Sequence, residues 1–226
     1  MSQCFLYNNC NHKDCDKLCI RQLKLGTLLS NAGLPKDKWT RMELKLDTDG
    51  TDFEIFKELA HIEQNMTKFV KIGANLFLHS SNSGNGKTSW AIRLIQVFLD
   101  RNWKSYEVTD TPVLFINVPR FLESLKLNIS TYDEYAPYVL DHVMTADLVV
   151  WDDIAAKAGS DYEINKLFSL VDGRISKSLA NIFTSNLNNA EMYTALGSRL
   201  ASRICNMSTN FELKGADKRF LGIKRV

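Results

Sequence analysis

Residues 75–90 read NLFLHSSNSGNGKTSW, and within them Ser81-Asn82-Ser83-Gly84-Asn85-Gly86-Lys87-Thr88 sets two glycines before a lysine and a hydroxyl. That order suits a chain that must wrap an anion. Gly84 and Gly86 let the backbone curl so that successive N–H groups face phosphate oxygens, and the start of a following helix adds its positive end. Lys87 is expected to reach the β- and γ-phosphates of ATP, and the Thr88 hydroxyl to ligate Mg²⁺. The expected phosphate-binding positions are Ser83, Gly84, Asn85, Gly86, Lys87, Thr88 and Ser89. One departure stands out: Ser81 occupies the place of the first glycine in G-x-x-x-x-G-K-[ST]. So short a pattern also arises by chance in glycine-rich surface turns. Its position after an apolar strand and before a helix identifies it as a phosphate loop.

Hydrolysis needs a carboxylate beside the bound phosphates, and Ala146-Asp147-Leu148-Val149-Val150-Trp151-Asp152-Asp153 offers two at the end of an apolar run. Asp152 is expected in the Mg²⁺ shell. Asp153 is expected to orient or deprotonate the attacking water, although it is one methylene shorter than the more usual glutamate. The alternative is that both aspartates cap the next helix. A second apolar run ends in polar groups at Asn181-Ile182-Phe183-Thr184-Ser185-Asn186. There Asn186 is expected to hydrogen-bond the γ-phosphate or the water, with turn chemistry as the plainer alternative. Arg199 and Arg203, four residues apart, share one helix face. Such a pair suits a phosphate on the same subunit or on a neighbouring one, or is simply a solvated face.

A different chemistry is spelled out at the N-terminus. Cys4, Cys10, Cys15 and Cys19 fall within the first 20 residues, with His12 among them. Four thiolates close a tetrahedral Zn²⁺ site able to fold a segment that has no core of its own, with His12 as a substitute ligand. An iron–sulfur cluster also takes four thiolates, and unligated cysteines are the third reading. Cys205, isolated in an apolar helix, reads as a core residue.

These groups need a scaffold. Strands are expected at Leu76–His79, Val113–Val118, Leu148–Trp151 and Asn181–Thr184, each short and apolar enough to be buried on both faces. Helices fall between them near 86–101, 119–128, 132–145 and 161–176. Strands alternating with helices imply right-handed crossovers and a parallel sheet, so the fold class is α/β. Residues 188–206 read as two short helices and 209–214 as a further strand. Upstream, a helix near 20–31 and the turn Asp47-Thr48-Asp49-Gly50 form a connector, dividing the chain into residues 1–50 and 51–226. At 226 residues with 45% hydrophobic and 24% charged residues, the chain can bury a core unaided. The formal net charge of +2 is too small to imply a nucleic-acid partner, so any such contact must come from local patches. No stretch approaches the ~18 apolar residues of a membrane span, and no signal peptide is evident. A cytoplasmic protein without a membrane partner is expected.

The order of these motifs resembles the DnaC/DnaI type of AAA+ replicative helicase loader, in the form carried by bacteriophages and prophages. The resemblance covers roughly residues 52–226: the phosphate loop, the hydrophobic run ending in Asp152-Asp153, Thr184-Ser185-Asn186, the helix with Arg199 and Arg203, and the basic Gly215-Ala216-Asp217-Lys218-Arg219. It implies a P-loop AAA+ core with a central parallel sheet flanked by helices, plus a small N-terminal metal-binding module that docks the helicase. It further implies that Arg203 is an arginine finger acting across a subunit interface, that Arg219 is a sensor 2 arginine, and that the ATPase domain self-associates. An aspartate at position 153 is common among DnaI-like members. Lys126 resembles a basic contact to single-stranded DNA, and Ser160 and Tyr162 a second DNA-contacting pair. Ile129 falls where loaders can carry an aromatic. Tyr162 also fits a core position, and Lys126 a solvated lysine. The implied function is ATP-controlled loading of a replicative helicase onto single-stranded DNA, inside a bacterial host. Transposition helper ATPases of the IstB type share nearly the same motifs, and an ATP-binding adaptor without turnover is the non-enzymatic reading.

Overall fold

The computed structural model describes residues 19–44, 50–127, 133–156 and 159–218. Five strands, β1 (Asn75–His79), β2 (Val113–Asn117), β3 (Leu148–Asp152), β4 (Ala180–Ser185) and β5 (Thr209–Glu212), form one sheet. Their spatial order is β2-β3-β4-β1-β5, and all neighbouring pairs run parallel. Alternation along each strand feeds two cores: Leu76 and Leu78 enter one and Phe77 the other, as Leu148 and Val150 oppose Val149 and Trp151. Helices α1 (Ile20–Asn31), α2 (Phe53–Gln64), α3 (Met66–Lys71) and α4 (Lys87–Asn102) contribute to the first core. Helices α5 (Val118–Leu127), α6 (Tyr135–His142), α7 (Asp161–Ser176) and α8 (Asn189–Asn206) contribute to the second. The α/β architecture with a central parallel sheet is the one expected.

Local chemistry sets the helix ends. α7 and α8 each start with a reciprocal capping box, Ser160 with Glu163 and Asn188 with Glu191. α8 breaks at Gly197, whose φ of 74° and ψ of 161° suit only glycine; the two short helices expected over 188–206 are its two halves. Residues 20–44, expected as a connector, are packed against the sheet and α4. Leu25, Leu28, Leu29, Ala32 and Leu34 are buried in the first core, and Phe115 N–H donates to the Ala32 carbonyl at 2.7 Å. The buried Gln96 side chain of α4 accepts from Met42 N and donates to the carbonyls of Lys38 and Thr40.

At the opposite end of the sheet from the phosphate loop lies a fully buried guanidinium. Arg174, in the last turn of α7, donates to the carbonyls of Val143 (2.6 Å), Ala146 (2.8 Å) and Ala180 (2.6 Å) and to Asn181 Oδ1 (2.8 Å). Burial pulls its pKa down to about 9, so it remains cationic at neutral pH. Asn181 in turn donates to Asn75 Oδ1 and accepts from Trp151 Nε1, so this polar cluster joins β3, β4 and β1. Among the described residues, no helix is long and apolar enough to cross a membrane.

Candidate nucleotide site

The sheet order puts the phosphate loop at the carboxyl end of β1, between β4 and β5. Ser80 N–H still pairs with the Ser185 carbonyl at 3.2 Å; beyond it the chain leaves the sheet. Gly84 (φ 74°) and Gly86 (φ 109°) take left-handed conformations, and Gly86 caps α4. The loop is braced from inside and from behind. Ser80 Oγ accepts from Asn82 N–H (3.0 Å) and from the buried Asn85 amide. Asn85 also donates to the Leu213 carbonyl at 2.9 Å, and Lys218 N–H donates to the Gly84 carbonyl at 2.8 Å. That rear segment is itself held by the buried Asp52, whose two carboxylate oxygens accept from Lys214 N–H (2.8 Å) and Gly215 N–H (2.9 Å).

This geometry explains Ser81. Residue 81 is exposed, and its φ is not positive, so no glycine is needed there. Ser81→Gly is expected to leave ATP affinity within about fivefold of wild type in a nucleotide titration, the added backbone freedom costing at most about 1 kcal/mol.

Lys87 is 6% exposed, and its amine donates to Asn82 O (3.0 Å) and Asn85 Oδ1 (3.2 Å). Burial lowers its pKa, opposed by the charges of Asp153 and Asp152. Thr88 Oγ1 lies 2.8 Å from Asp152 Oδ1. Two hard oxygen donors, a hydroxyl and a carboxylate, converge beside the phosphate loop. The donor set fits a Mg²⁺ ion, which takes few protein ligands and keeps most of its waters. Asp152 is 5% exposed, and burial raises its pKa against the hydrogen bonds from Thr184 and Thr88. Asp153 follows with φ 55°, a left-handed conformation that aspartate tolerates better than most residues. Its N–H donates to Thr184 Oγ1 at 2.9 Å.

The structure thus brings Lys87, Thr88, Asp152 and Asp153 together, and adds groups that the sequence did not single out. Thr184 touches both aspartates, whereas Asn186 is exposed just past the end of β4. Beside the loop a cleft opens, walled by Glu43 and Leu44 and by Gly84–Gly86, with Ser89, Trp90 and Lys218 completing it. No local signal marks Glu43, Leu44 or Asp52, because each acts through contacts with distant parts of the chain.

The remaining expected residues lie elsewhere. Arg199 and Arg203 do share one face of α8, but that face meets α7: Arg199 stacks over Phe168 at 4.4 Å, and Arg203 pairs with Asp172. Lys126 and Ser160 converge on one carboxylate. The buried Glu163 accepts from Lys126 Nζ at 3.1 Å and from Ser160 Oγ at 2.7 Å. Tyr162 is 62% exposed, which excludes the core reading. Cys205 is buried in the second core, as expected. Cys19 is partly exposed at the start of α1 and forms no disulfide among the described residues, while Cys4, Cys10, His12, Cys15, Ile129 and Arg219 lie outside them.

The family model described as IstB-like ATP binding protein matches residues 16–214, taking in the loop and both aspartates. The chain belongs to the IstB-like ATP-binding family. Solved structures extend the likeness at the level of fold. The IstB-like chain is similar to the DnaC helicase loader (18% identity, TM-score 0.63, covering 80% of this chain and 100% of that one). It is similar to DnaI (19% identity, TM-score 0.61, covering 82% and 94%). It is also similar to AMPPCP-bound DnaA from Aquifex aeolicus (17% identity, TM-score 0.51, covering 72% and 46%). These structures share the α/β fold of the IstB-like chain. No match is found among curated proteins.

Proposed function

We propose that this chain is an ATP-hydrolysing loader of a replicative DNA helicase, acting on single-stranded DNA in a bacterial cytoplasm. The observation that carries this reading is the likeness in fold to the DnaC helicase loader, over 80% of this chain and all of that solved chain. In this reading Lys87 neutralises the β- and γ-phosphates, the backbone from Ser83 to Ser89 cradles them, and Thr88 and Asp152 hold Mg²⁺. The metal, when bound, spreads the charge that develops on the phosphate oxygens. Asp153 orients the attacking water and takes its proton, with Asn186 as a hydrogen-bond partner. Arg219 acts on the phosphates of its own subunit. Arg203, half-exposed beside Asp172 and with Arg199 one turn earlier, serves the site of a neighbouring subunit, so a lone chain turns over slowly. Lys126, Ser160 and Tyr162 contact DNA, where an exposed ring and a cation can bind single strands without reading sequence. The cysteine-rich start of the 1–50 segment, folded around Zn²⁺, docks the helicase.

Pull-down of a replicative helicase in the presence of ATP tests the reading. Retention of the helicase, with ATPase activity raised by single-stranded DNA, supports it. The match to the IstB-like family supports a second reading, a transposition helper that binds duplex DNA. Duplex binding with no helicase retained would establish that one instead. Turnover no higher than that of Lys87→Ala would leave an adaptor. The interface assignment has its own test: Arg203→Ala should lower turnover by about 10³-fold while ATP affinity stays within about twofold. The half-exposed pair with Asp172 that it removes is worth under about 1 kcal/mol, so the fold should survive. Loss of ATP binding instead would put the arginine in its own subunit's site.

A further inference from the structure

We infer that Thr184 is the positioning residue that sets both carboxylates of the site, an inference that rests on the nucleotide-site reading above. A threonine hydroxyl has one proton to give and lone pairs to accept with. In Thr184 the proton goes to Asp152 Oδ1 at 2.8 Å, and a lone pair receives Asp153 N–H at 2.9 Å. Asp152 Oδ1 also receives the Thr88 hydroxyl at 2.8 Å, but Thr88 opens α4 beside the phosphate loop and is partly exposed. Thr184 is fully buried in β4, the strand between β3 and β1. Of the two hydroxyls on Asp152, it is therefore the one fixed by the sheet.

Its second bond acts on the backbone. At Asp153 the chain turns into the left-handed region (φ 55°), and Ala155 does so again (φ 66°). A non-glycine residue holds such a conformation only where its surroundings over-determine it. The Thr184 side chain supplies one restraint, and its carbonyl supplies another by accepting Ile154 N–H at 2.9 Å. The next residue of β4 adds a third, Ser185 Oγ donating to Ile154 O at 2.7 Å. With only the hydroxyl removed, the two Ile154 contacts remain. The turn should then persist while both carboxylates lose their common reference.

The test pairs Thr184→Val, which keeps the shape and deletes the hydroxyl, with Thr184→Ser, which keeps the hydroxyl. Affinity for a fluorescent ATP analogue is measured in EDTA and in Mg²⁺, beside kcat, KM and the unfolding midpoint. Partners that orient metal ligands typically matter about 10–100-fold. Thr184→Val is expected to lose about tenfold or more of the affinity gained from Mg²⁺, and as much in kcat. Its affinity in EDTA should stay within about twofold of wild type, and Thr184→Ser should recover most of both losses. Wild-type Mg²⁺ gain in Thr184→Val would overturn the inference. So would a loss of affinity in EDTA that Thr184→Ser fails to restore, the mark of a purely packing role. If the wild-type chain shows no turnover above Lys87→Ala, the hydrolysis reading fails on its own, and the Mg²⁺ gain still decides the part played by Thr184.

Discussion

Replacing Arg174 by methionine should lower the stability of the fold by about 3–5 kcal/mol, the cost of leaving several buried acceptors without their donor. The size follows from what is left behind. Methionine fills much of the volume, so the cavity is small. It cannot donate to the carbonyls of Val143, Ala146 and Ala180 or to Asn181 Oδ1. Each buried acceptor left without a donor costs about 1–3 kcal/mol, partly relieved where a water enters. For a chain of this size that corresponds to a drop of roughly 10 °C in Tm. Urea unfolding measures it directly. A loss under about 1 kcal/mol would mean that the carbonyls find other donors and that Arg174 does not join the strands. Because the guanidinium lies far from the phosphate loop, ATP affinity of the still-folded fraction should be unchanged.

Asp152→Asn should cut turnover about 100-fold and at the same time stabilise the nucleotide-free protein. Asparagine keeps an oxygen for the Thr88 and Thr184 hydroxyls but removes the charge proposed to hold Mg²⁺. Loss of about 3 kcal/mol of such stabilisation is roughly a 100-fold fall in rate. The stability gain follows from the direction of the pKa shift. Burial is the largest influence on Asp152 and raises its pKa, so the folded state disfavours the carboxylate relative to the unfolded chain. A raised folded pKa means a contribution that is present in full below the unfolded pKa and lost as pH rises through the folded one. At neutral pH the wild-type chain has lost it, whereas asparagine has nothing to lose. Thermal melts without nucleotide or Mg²⁺ should therefore show Asp152→Asn melting higher at neutral pH. The gap should close as pH falls through the raised pKa towards the ordinary carboxylate value. An equal or lower melting point at neutral pH would mean that the wild-type carboxylate is already compensated by the Lys87 amine.

The parts of this site that could be read in the sequence are those set by local spacing. Gly84, Gly86, Lys87 and Thr88 act within five residues of one another, and Asp152 is marked by the apolar run that it ends. The strands were legible for the same reason, since burial on both faces leaves a continuous apolar stretch. Arg174 shows the limit. Arginine in a helix is usually exposed, and nothing nearby in sequence says that three carbonyls and an amide wait for it. Asp52 is similar: it stands just before a helix, where an aspartate needs no further explanation. Its actual partners, Lys214 and Gly215, lie more than 160 positions away. Thr184 was in view as part of Thr184-Ser185-Asn186, yet its hydroxyl could be tied to both aspartates only once β4 was known to lie beside β3.

The strand order has a consequence for how the chain is made. β1 pairs only with β4 and β5, and both are encoded more than 100 residues after it. As the polypeptide leaves the ribosome, the strand that leads into the phosphate loop has two open edges until residue 180 has been synthesised, and one until residue 209. Pairings of such sequence separation form slowly, and unpaired apolar strands are the parts of a nascent chain most prone to aggregate. The brace at Leu213–Lys218 is translated later still. Nucleotide binding is therefore among the last properties the growing protein acquires, and a ribosome stalled shortly before residue 209 would carry a chain with every loop residue in place and no finished loop.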